Sequence, residues 1–381
     1  MEVEIFVVDN ASTDGSQHYL PGRFPQVKFR WSKENLGFGK ASNSVLKEAT
    51  GEYVLFLNPD TIIAEDSLVK SYDFFLCNPT CAALGVQMFD GNGRFLRESK
   101  RAVPTPLNSF FKMLGFTKLF PSSHFFSGYY AGGLPQKQSN PVDVLAGAYM
   151  MLSRKAIEIT NGFDEDYFMY GEDVDLCYRL KKAGLGVYYF SDTSIIHFKG
   201  ESTQRLSKKY IKHFYGAMWL FVKKHYTHKK ILRFFMRCSI TLGRGIATLK
   251  LIFSNKKNGG YSQPHKNLTA VIAGQQHFNE CLRLLQHAKP SLVIAGRISP
   301  LDKDDQHALG SLKEIETVVK AKHITQLVFS SRELSFKKII ETVEKMAGSV
   351  NFLFHAAGSE SIVGSDDQHS KGIFIARDQQ A

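Results

Sequence analysis

Val3-Glu4-Ile5-Phe6-Val7-Val8 runs directly into Asp9-Asn10-Ala11-Ser12-Thr13-Asp14-Gly15. A short apolar run that stops at a cluster of Asp, Asn, Ser and Gly reads as a buried strand leaving its sheet through a polar loop. The same grammar recurs where Tyr53 to Leu57 meets Asn58-Pro59-Asp60. Between the two, Val27 to Trp31 is a further strand candidate, and Phe38, Ala41, Val45, Leu46 and Ala49 fall at helical spacing. Strands alternating with helices predict an α/β domain with a mostly parallel sheet, whose ligands bind beyond the carboxyl ends of the strands. Both polar clusters then lie on that edge.

Working outward, residues 99–141 are rich in Phe, Pro, Gly and Ser without periodicity and read as a long surface excursion near the active edge. Order resumes at Val142, with a strand over Ala148 to Leu152, a short helix, the acidic stretch Gly162-Phe163-Asp164-Glu165-Asp166, and a helix from about Glu172 to Ala183 that Gly184 stops. From Asn267 a second unit alternates again: strands at 268–273, 292–295, 326–330 and 350–354, helices at about 278–287, 312–321 and 336–346. Gly259-Gly260, with Ser262 and Pro264, reads as a linker. The expected organisation is 1–204, 205–262 as a basic helical segment and linker, 263–363 as a Rossmann-like unit, and 364–381 as a flexible tail.

The chain has 381 residues, 43% hydrophobic and 22% charged, which excludes disorder as its main state. Its formal charge of +12 is local. Ser202 to Asn279 contains no Asp or Glu and carries fifteen Lys and Arg, while the remainder is close to neutral. Taken as a helix, Ile231 to Ile252 sets Arg233, Arg237, Arg244 and Thr248 on one face and apolar residues around the rest, with Gly243 and Gly245 as potential breaks. Such a helix suits a bilayer surface but is too interrupted by charge to cross one. The rival readings are an ordinary packed helix and a nucleic-acid platform, for which Phe214, Tyr215, Trp219, Tyr226 and Phe234 lie among the basic residues. Five cysteines, odd in number, do not form a disulfide framework and suit a reducing compartment. The N-terminus lacks the pattern of a signal peptide, so a cytoplasmic location is expected.

The carboxylates Asp9, Asp14, Asp60, Asp164, Asp166, Glu172, Asp173 and Asp175 all flank predicted strand ends. Crowding them on one rim is costly unless a cation or donors satisfy it. A hard divalent ion, Mg²⁺ or Mn²⁺, that also meets a ligand diphosphate would do so. For Asp14 and Asp175 individually, a turn or helix-cap role is the alternative. His197, ending the apolar run Ile195-Ile196, is either a satisfied edge histidine or a group that reaches phosphate or metal together with Lys199.

Four blocks in order, Val7 to Ser16, Glu34 to Asn43, Leu55 to Thr61 and Gly162 to Leu180, closely resemble the motif series of family 2 glycosyltransferases of the GT-A fold, the bacterial rhamnosyltransferase-like members in particular. The resemblance covers roughly the first half of the chain. It implies inverting transfer of a sugar from a nucleotide-diphosphate sugar to a hydroxyl of a glycan or polyprenyl-linked acceptor, in bacterial surface polysaccharide synthesis at the inner face of the cell membrane. Asp9, Asn10, Asp14, Asn35, Lys40, Asn58 and Asp60 would meet the donor. Asn58-Pro59-Asp60 stands where the family places its metal-binding Asp-x-Asp, so Asp60 would hold the cation with His197 nearby, and Asn58 departs from the stricter pattern. In the pair Glu172-Asp173, Asp173 would be the general base. The expected partners are donor, acceptor and an anionic membrane surface, with no nucleic acid.

The second unit has Gly274-Gln275-Gln276-His277 after its first strand, which is not a Gly-x-Gly-x-x-Gly fingerprint. It loosely resembles the Rossmann-like, nucleotide- or CoA-binding-type domains attached to some bacterial polysaccharide sugar transferases, with a regulatory or docking role, and a bare protein-interaction module is the equal alternative. The competing reading of the whole is a non-catalytic or truncated scaffold that keeps the fold. Similar enzymes also begin with one more strand, which in the order 3-2-1-4 would lie between residues 3–8 and 53–57. An upstream start or a poorly folded fragment is therefore expected.

Overall fold

The computed structural model describes residues 1–103, 134–198, 207–254, 268–288, 292–301, 307–364 and 373–376, together with positions 119, 123 and 130. Most of the 99–141 excursion, Lys199, the Gly259-Gly260 linker and most of 364–381 lie outside the described residues.

The opening motif folds as read. β1 (Phe6–Asp9) passes through α1 (Ser16–Arg23) to β2 (Lys28–Trp31) and pairs with it in parallel, from Phe6 opposite Lys28 to Asp9 opposite Trp31. α2 (Phe38–Asn43) is shorter than its helical spacing suggests, the chain continuing in turns to residue 48. A larger sheet follows, built from β3 (Tyr53–Leu57), β4 (Thr61–Ile63), β5 (Cys81–Phe89), β7 (Tyr149–Ser153) and β8 (Gly186–His197) in the order β3-β7-β5-β8-β4, with β6 (Asn140–Pro141) beside β8. α3 (Ser67–Cys77) joins β4 to β5, and α4 (Arg154–Thr160) and α5 (Glu172–Lys182) lie between β7 and β8.

The expectation of a mostly parallel sheet is corrected here. Only β5 and β8 run parallel in the larger sheet, and β3–β7, β5–β7 and β4–β8 are antiparallel. The chain returns from its long excursion into β7 between β3 and β5, opposed to both, and apolar runs carry no sign of direction. β5 is buried at all nine positions, as a central strand covered on both faces must be. Among the described residues β1 pairs only with β2 and β3 only with β7, so no ladder joins the two sheets.

Two helices carry the basic segment, α6 (Lys208–His225) and α7 (Lys230–Ser254). Gly243 and Gly245 do not break α7, which runs through both. α6 is fixed to α5 by a buried ionic cluster. The Asp175 carboxylate, fully buried, receives Arg179 Nε at 2.6 Å and His225 Nε2 at 2.6 Å, and Arg179 continues to the carbonyls of Thr160 and Gly162. Burial works to raise the Asp175 carboxyl, but these partners outweigh it and hold it below its ordinary value.

The C-terminal unit contains β9 (Leu268–Ile272), α8 (Gln275–Ala288), β10 (Val293–Ile298), α9 (Ile315–Ala321), β11 (Gln326–Ser330), α10 (Phe336–Lys345), β12 (Asn351–His355), β13 (Ser361–Gly364) and β14 (Ile373–Ala376). Its sheet order is β10-β9-β11-β12-β13-β14, the first four strands parallel and the last two antiparallel. β14 falls within the stretch expected to be a flexible tail and pairs with β13, which corrects that expectation.

Removing one member of a buried charged cluster leaves the others unpaired. Asp175→Ala should therefore lower unfolding free energy by about 3–5 kcal/mol in chemical denaturation, whereas the exposed Asp192→Ala should change it little.

Candidate functional site

Three of the four motif blocks meet at residues 145–148, a stretch in which the sequence analysis found no site residue. The Ala148 carbonyl accepts the Asn58 amide N–H at 3.0 Å. A Cβ placed on Gly147 would stand 3.8 Å from Asp173 Cβ and 3.7 Å from the Phe38 ring. The crossing thus brings the turn after β3, the start of α5 and the start of α2 together. Gly37 closes the arrangement: its φ is +83°, a Cβ there would lie 2.2 Å from the Phe168 carbonyl, and that carbonyl accepts the Phe38 N–H at 3.0 Å. Only glycine permits this approach.

The predicted donor-binding residues divide in two. Asn10 and Asn35 bind the chain to itself. The Asn10 amide donates to Asn35 Oδ1 at 3.0 Å and to the Gly37 carbonyl at 3.3 Å, and its oxygen accepts the Leu36 N–H at 2.7 Å. Asn35 Oδ1 also accepts the Gly37 N–H at 3.0 Å. Asp9 accepts the Ser12 N–H at 3.0 Å. Asp14 accepts the Ser16 N–H at 3.0 Å, a contact that holds its carboxyl below the ordinary value, as a turn residue would. Lys40 is exposed on α2.

Asp60 and His197 come together. Thr61 and His197 are the first register pair between β4 and β8, and the Phe198 N–H bonds the Asp60 carbonyl at 2.9 Å, so both side chains leave one end of one ribbon. His197 Nε2 lies 3.3 Å from Asp60 Oδ1 and 3.4 Å from Asn58 Nδ2, and His197 Nδ1 is buried without a hydrogen-bond partner. These residues fit a divalent cation. Adjacent ligands of an octahedral ion at about 2.1 Å stand about 3 Å apart, close to the separation seen here. No group of three or more His, Cys, Asp or Glu able to hold a metal occurs among the described residues, and an ion held by this pair would have positions open for phosphate oxygens or water.

The acidic pair is divided by burial. Asp173 Oδ1 accepts the Val174 N–H at 2.7 Å, and Oδ2 is paired with Arg101, which also donates to the Leu145 carbonyl at 2.7 Å. Glu172 is buried, and its Oε2 has no hydrogen-bond partner. Burial first, and the Asp173 charge second, push its carboxyl up to about 8. Glu172 therefore holds its proton more readily than an ordinary glutamate, and Asp173 is the partly exposed member of the pair. Asp164 and Asp166 bind Lys224 of α6 at 2.5 and 2.6 Å and serve packing, as does Asp175.

Sequence reasoning missed Arg101 and Lys100, which lie in the aperiodic excursion. Lys100 is buried with its Nζ donating to the Leu134 and Pro135 carbonyls, and burial pushes it down to about 8. In the C-terminal unit, Glu333 Oε1 lies 2.5 Å from the point a Cβ on Gly274 would occupy and pairs with His277. A carboxylate thus already stands where a dinucleotide phosphate would approach the start of α8.

Residues 1–157 match the family model described as Glycosyl transferase family 2, and residues 134–215 match one described as N-terminal domain of galactosyltransferase. The N-terminal domain is a family 2 glycosyltransferase domain. Among its relatives, the N-acetylglucosaminyl-diphospho-decaprenol L-rhamnosyltransferase of Mycobacterium tuberculosis is 28% identical over 253 residues, 63% of this chain and 81% of that protein. Rhamnosyltransferase WbbL of Escherichia coli is 33% identical over 173 residues, 42% of this chain and 61% of that protein. The solved mannosyltransferase PcManGT of Pyrobaculum calidifontis, in complex with GDP-Man and Mn²⁺, matches at 17% identity over 76% of this chain and 72% of that one, with a TM-score of 0.37, a likeness too low to carry an argument.

A carboxyl whose folded value lies above its unfolded one binds an extra proton in the native state, so it stabilises at low pH and loses that contribution as pH rises through the folded value. For Glu172 the window runs from the ordinary 4.5 to about 8. Glu172→Gln, neutral throughout, should gain in melting temperature relative to wild type between about pH 5 and about pH 9. A difference independent of pH in paired thermal melts would refute the burial argument.

Proposed function

We propose that this chain transfers a sugar with inversion from a nucleotide-diphosphate sugar to a hydroxyl of a glycan or lipid-linked acceptor, in bacterial surface polysaccharide synthesis. The observation that carries the reading is the crossing at Gly147 and Ala148, where the turn leading to the Asp60–His197 pair and the start of the helix bearing Glu172 and Asp173 both meet one stretch of chain. Rhamnose is the sugar class favoured by the names of the two curated relatives, and a polyprenyl diphosphate-linked glycan is the acceptor class that the mycobacterial relative's name contains. Nothing in these matches favours a non-catalytic scaffold.

In this reading Asp60 and His197 would hold Mg²⁺ or Mn²⁺, which when bound neutralises charge on the departing diphosphate. Asp9 and Asp14 keep one carboxylate oxygen each for the nucleoside. Asn10 and Asn35 shape the loop between them. Asp173 receives the proton of the acceptor hydroxyl as that oxygen attacks the anomeric carbon from the side opposite the leaving group. Each carboxylate oxygen has two lone-pair sites, so Oδ2 can pair with Arg101 and still accept the hydroxyl. Arg101 orients the Asp173 side chain. Neutral Glu172 sits behind Asp173 without repelling it.

The site would face the inner surface of the cell membrane through α7. No helix among the described residues is long and apolar enough to cross a membrane. α7 nevertheless exposes Ile231, Phe234, Phe235, Leu242, Leu249 and Ile252, each more than half accessible, beside Arg244. An amphipathic helix with cations among apolar side chains suits an anionic lipid surface, each Lys or Arg contributing about 1 kcal/mol close to it. The aromatic residues that would serve a nucleic acid are mostly engaged: Phe214 stacks on Tyr210 at 5.4 Å, Arg237 covers Trp219 at 5.4 Å, and Tyr226 packs on Phe221 at 6.2 Å.

Asp173→Asn keeps the Arg101 contact but removes basicity, so turnover should fall about 100-fold or more with donor binding retained. Near-normal turnover would remove Asp173 from the role of base. Replacing Phe234, Leu242 and Leu249 by Ser should release the protein from vesicles containing anionic phospholipid in a sedimentation assay and leave its melting temperature unchanged. Wild-type protein that stays in the supernatant, or that prefers RNA at physiological salt, would refute the membrane surface.

A further inference from the structure

β4 is a three-residue edge strand, held on one side by three register pairs with β8. A ribbon this short is a weak support for two side chains that must keep a fixed separation. Its outer flank is held instead by the C-terminal unit. Ala64, Phe89, Ile196 and Phe198 share one buried cluster with Ile298, Phe329, Ile339, Ile340, Val343 and Phe354, and Ile62 packs against it. Phe198, next to His197, meets the Phe354 ring edge-on at 5.2 Å. Just past β4, the Glu65 carboxylate accepts the N–H groups of Phe336 at 2.6 Å and Lys337 at 3.1 Å, capping α10 from another domain, and Asp66 pairs with Lys337 Nζ at 2.8 Å. On the opposite side, a Cβ on Gly93 would lie 2.3 Å from the Val343 carbonyl, so the turn after β5 seats its backbone directly on α10.

We propose that the C-terminal unit is a buttress for the cation-binding end of the glycosyltransferase domain, with Phe354 and Glu65 as positioning residues that set metal affinity through Phe198 and β4. The proposal rests on Asp60 and His197 as the metal ligands. Neither Phe354 nor Glu65 touches that site. Each fixes a segment within a few residues of one ligand, Phe354 that of His197 and Glu65 that of Asp60; partners bonded directly to ligands typically change metal affinity about 10–100-fold, and these more distant supports belong at the lower end of that range.

The test titrates Mn²⁺ alone into the full chain, following the free-ion electron paramagnetic resonance signal, with hydrogen exchange at the Ile62 and Ile196 amides read in parallel. Phe354→Ala and, should that variant fold poorly, Glu65→Ala should weaken Mn²⁺ binding about tenfold and speed exchange at both amides. Asp60→Ala should abolish saturable binding without speeding exchange at Ile196. If Asp60→Ala loses Mn²⁺ while Phe354→Ala and Glu65→Ala bind as wild type, the buttress is wrong and the metal assignment stands. If wild type binds no Mn²⁺, both fall, and unchanged exchange in the Phe354 and Glu65 variants overturns the buttress by itself.

Discussion

The Asn58 amide bonded to the Ala148 carbonyl is the contact on which the arrangement of the site turns. Asn58 leaves β3 and Ala148 enters β7, and the two strands pair from Leu57–Tyr149 onward, so this bond extends their ladder by one rung. It ties the start of the turn carrying Asp60 to the strand that leaves Gly147, beside Asp173. The departure from a stricter Asp-x-Asp pattern fits this role. Asn58 binds through its backbone N–H, its carbonyl accepts Thr61 Oγ1 at 2.8 Å, and its amide group faces His197 without adding a further negative charge. A second carboxylate there would crowd Asp60 whenever no cation is bound.

At the other pole, two adjacent carboxyls occupy the first turn of one helix, where the helix dipole favours negative charge. Coulombic repulsion at that spacing would oppose ionising both. The structure resolves the conflict by environment. Glu172 is turned into the core and kept neutral, and Asp173 is left beside a guanidinium. The two carboxyls of one dipeptide therefore meet different surroundings, and the division comes from side-chain direction on the helix.

Most of the elements are legible in the sequence because they depend on local signals, whereas Asp60 and His197, distant in the chain, are brought together in expectation only by the motif resemblance. Apolar runs mark strands, Tyr53–Leu57 to the residue, and motif blocks mark loops. What was not legible is long-range. Arg101 reaches Asp173 across 72 residues from a stretch with no period, and nothing in its neighbours marks it. Strand direction in the larger sheet was misread because apolar patterning is the same in either direction. Asn10 and Asn35 sit in motif positions, yet their hydrogen bonds close on each other, and a motif does not distinguish a residue that binds ligand from one that shapes the loop around it. β14 was taken for tail because its four residues are flanked by polar sequence and acquire a partner only through β13.

Charge segregation along the chain connects to chemistry through α5. Asp173 occupies its first turn and Asp175 follows two residues later, so the two carboxylates leave the helix in different directions. The first faces the crossing at Gly147, and the second is buried against His225 at the end of α6. Lys224 adds bonds to Asp164 and Asp166, which precede α5. The joint between the basic helices and the glycosyltransferase domain is therefore made of the acidic residues that sequence alone would crowd onto a metal rim. They serve instead to fix α6, and through it α7, to the helix that carries the base. A lipid surface engaged by α7 would be held in one orientation relative to Asp173 by the buried Asp175–His225 hydrogen bond and by the Lys224 pairs with Asp164 and Asp166, which give way less readily than an exposed linker.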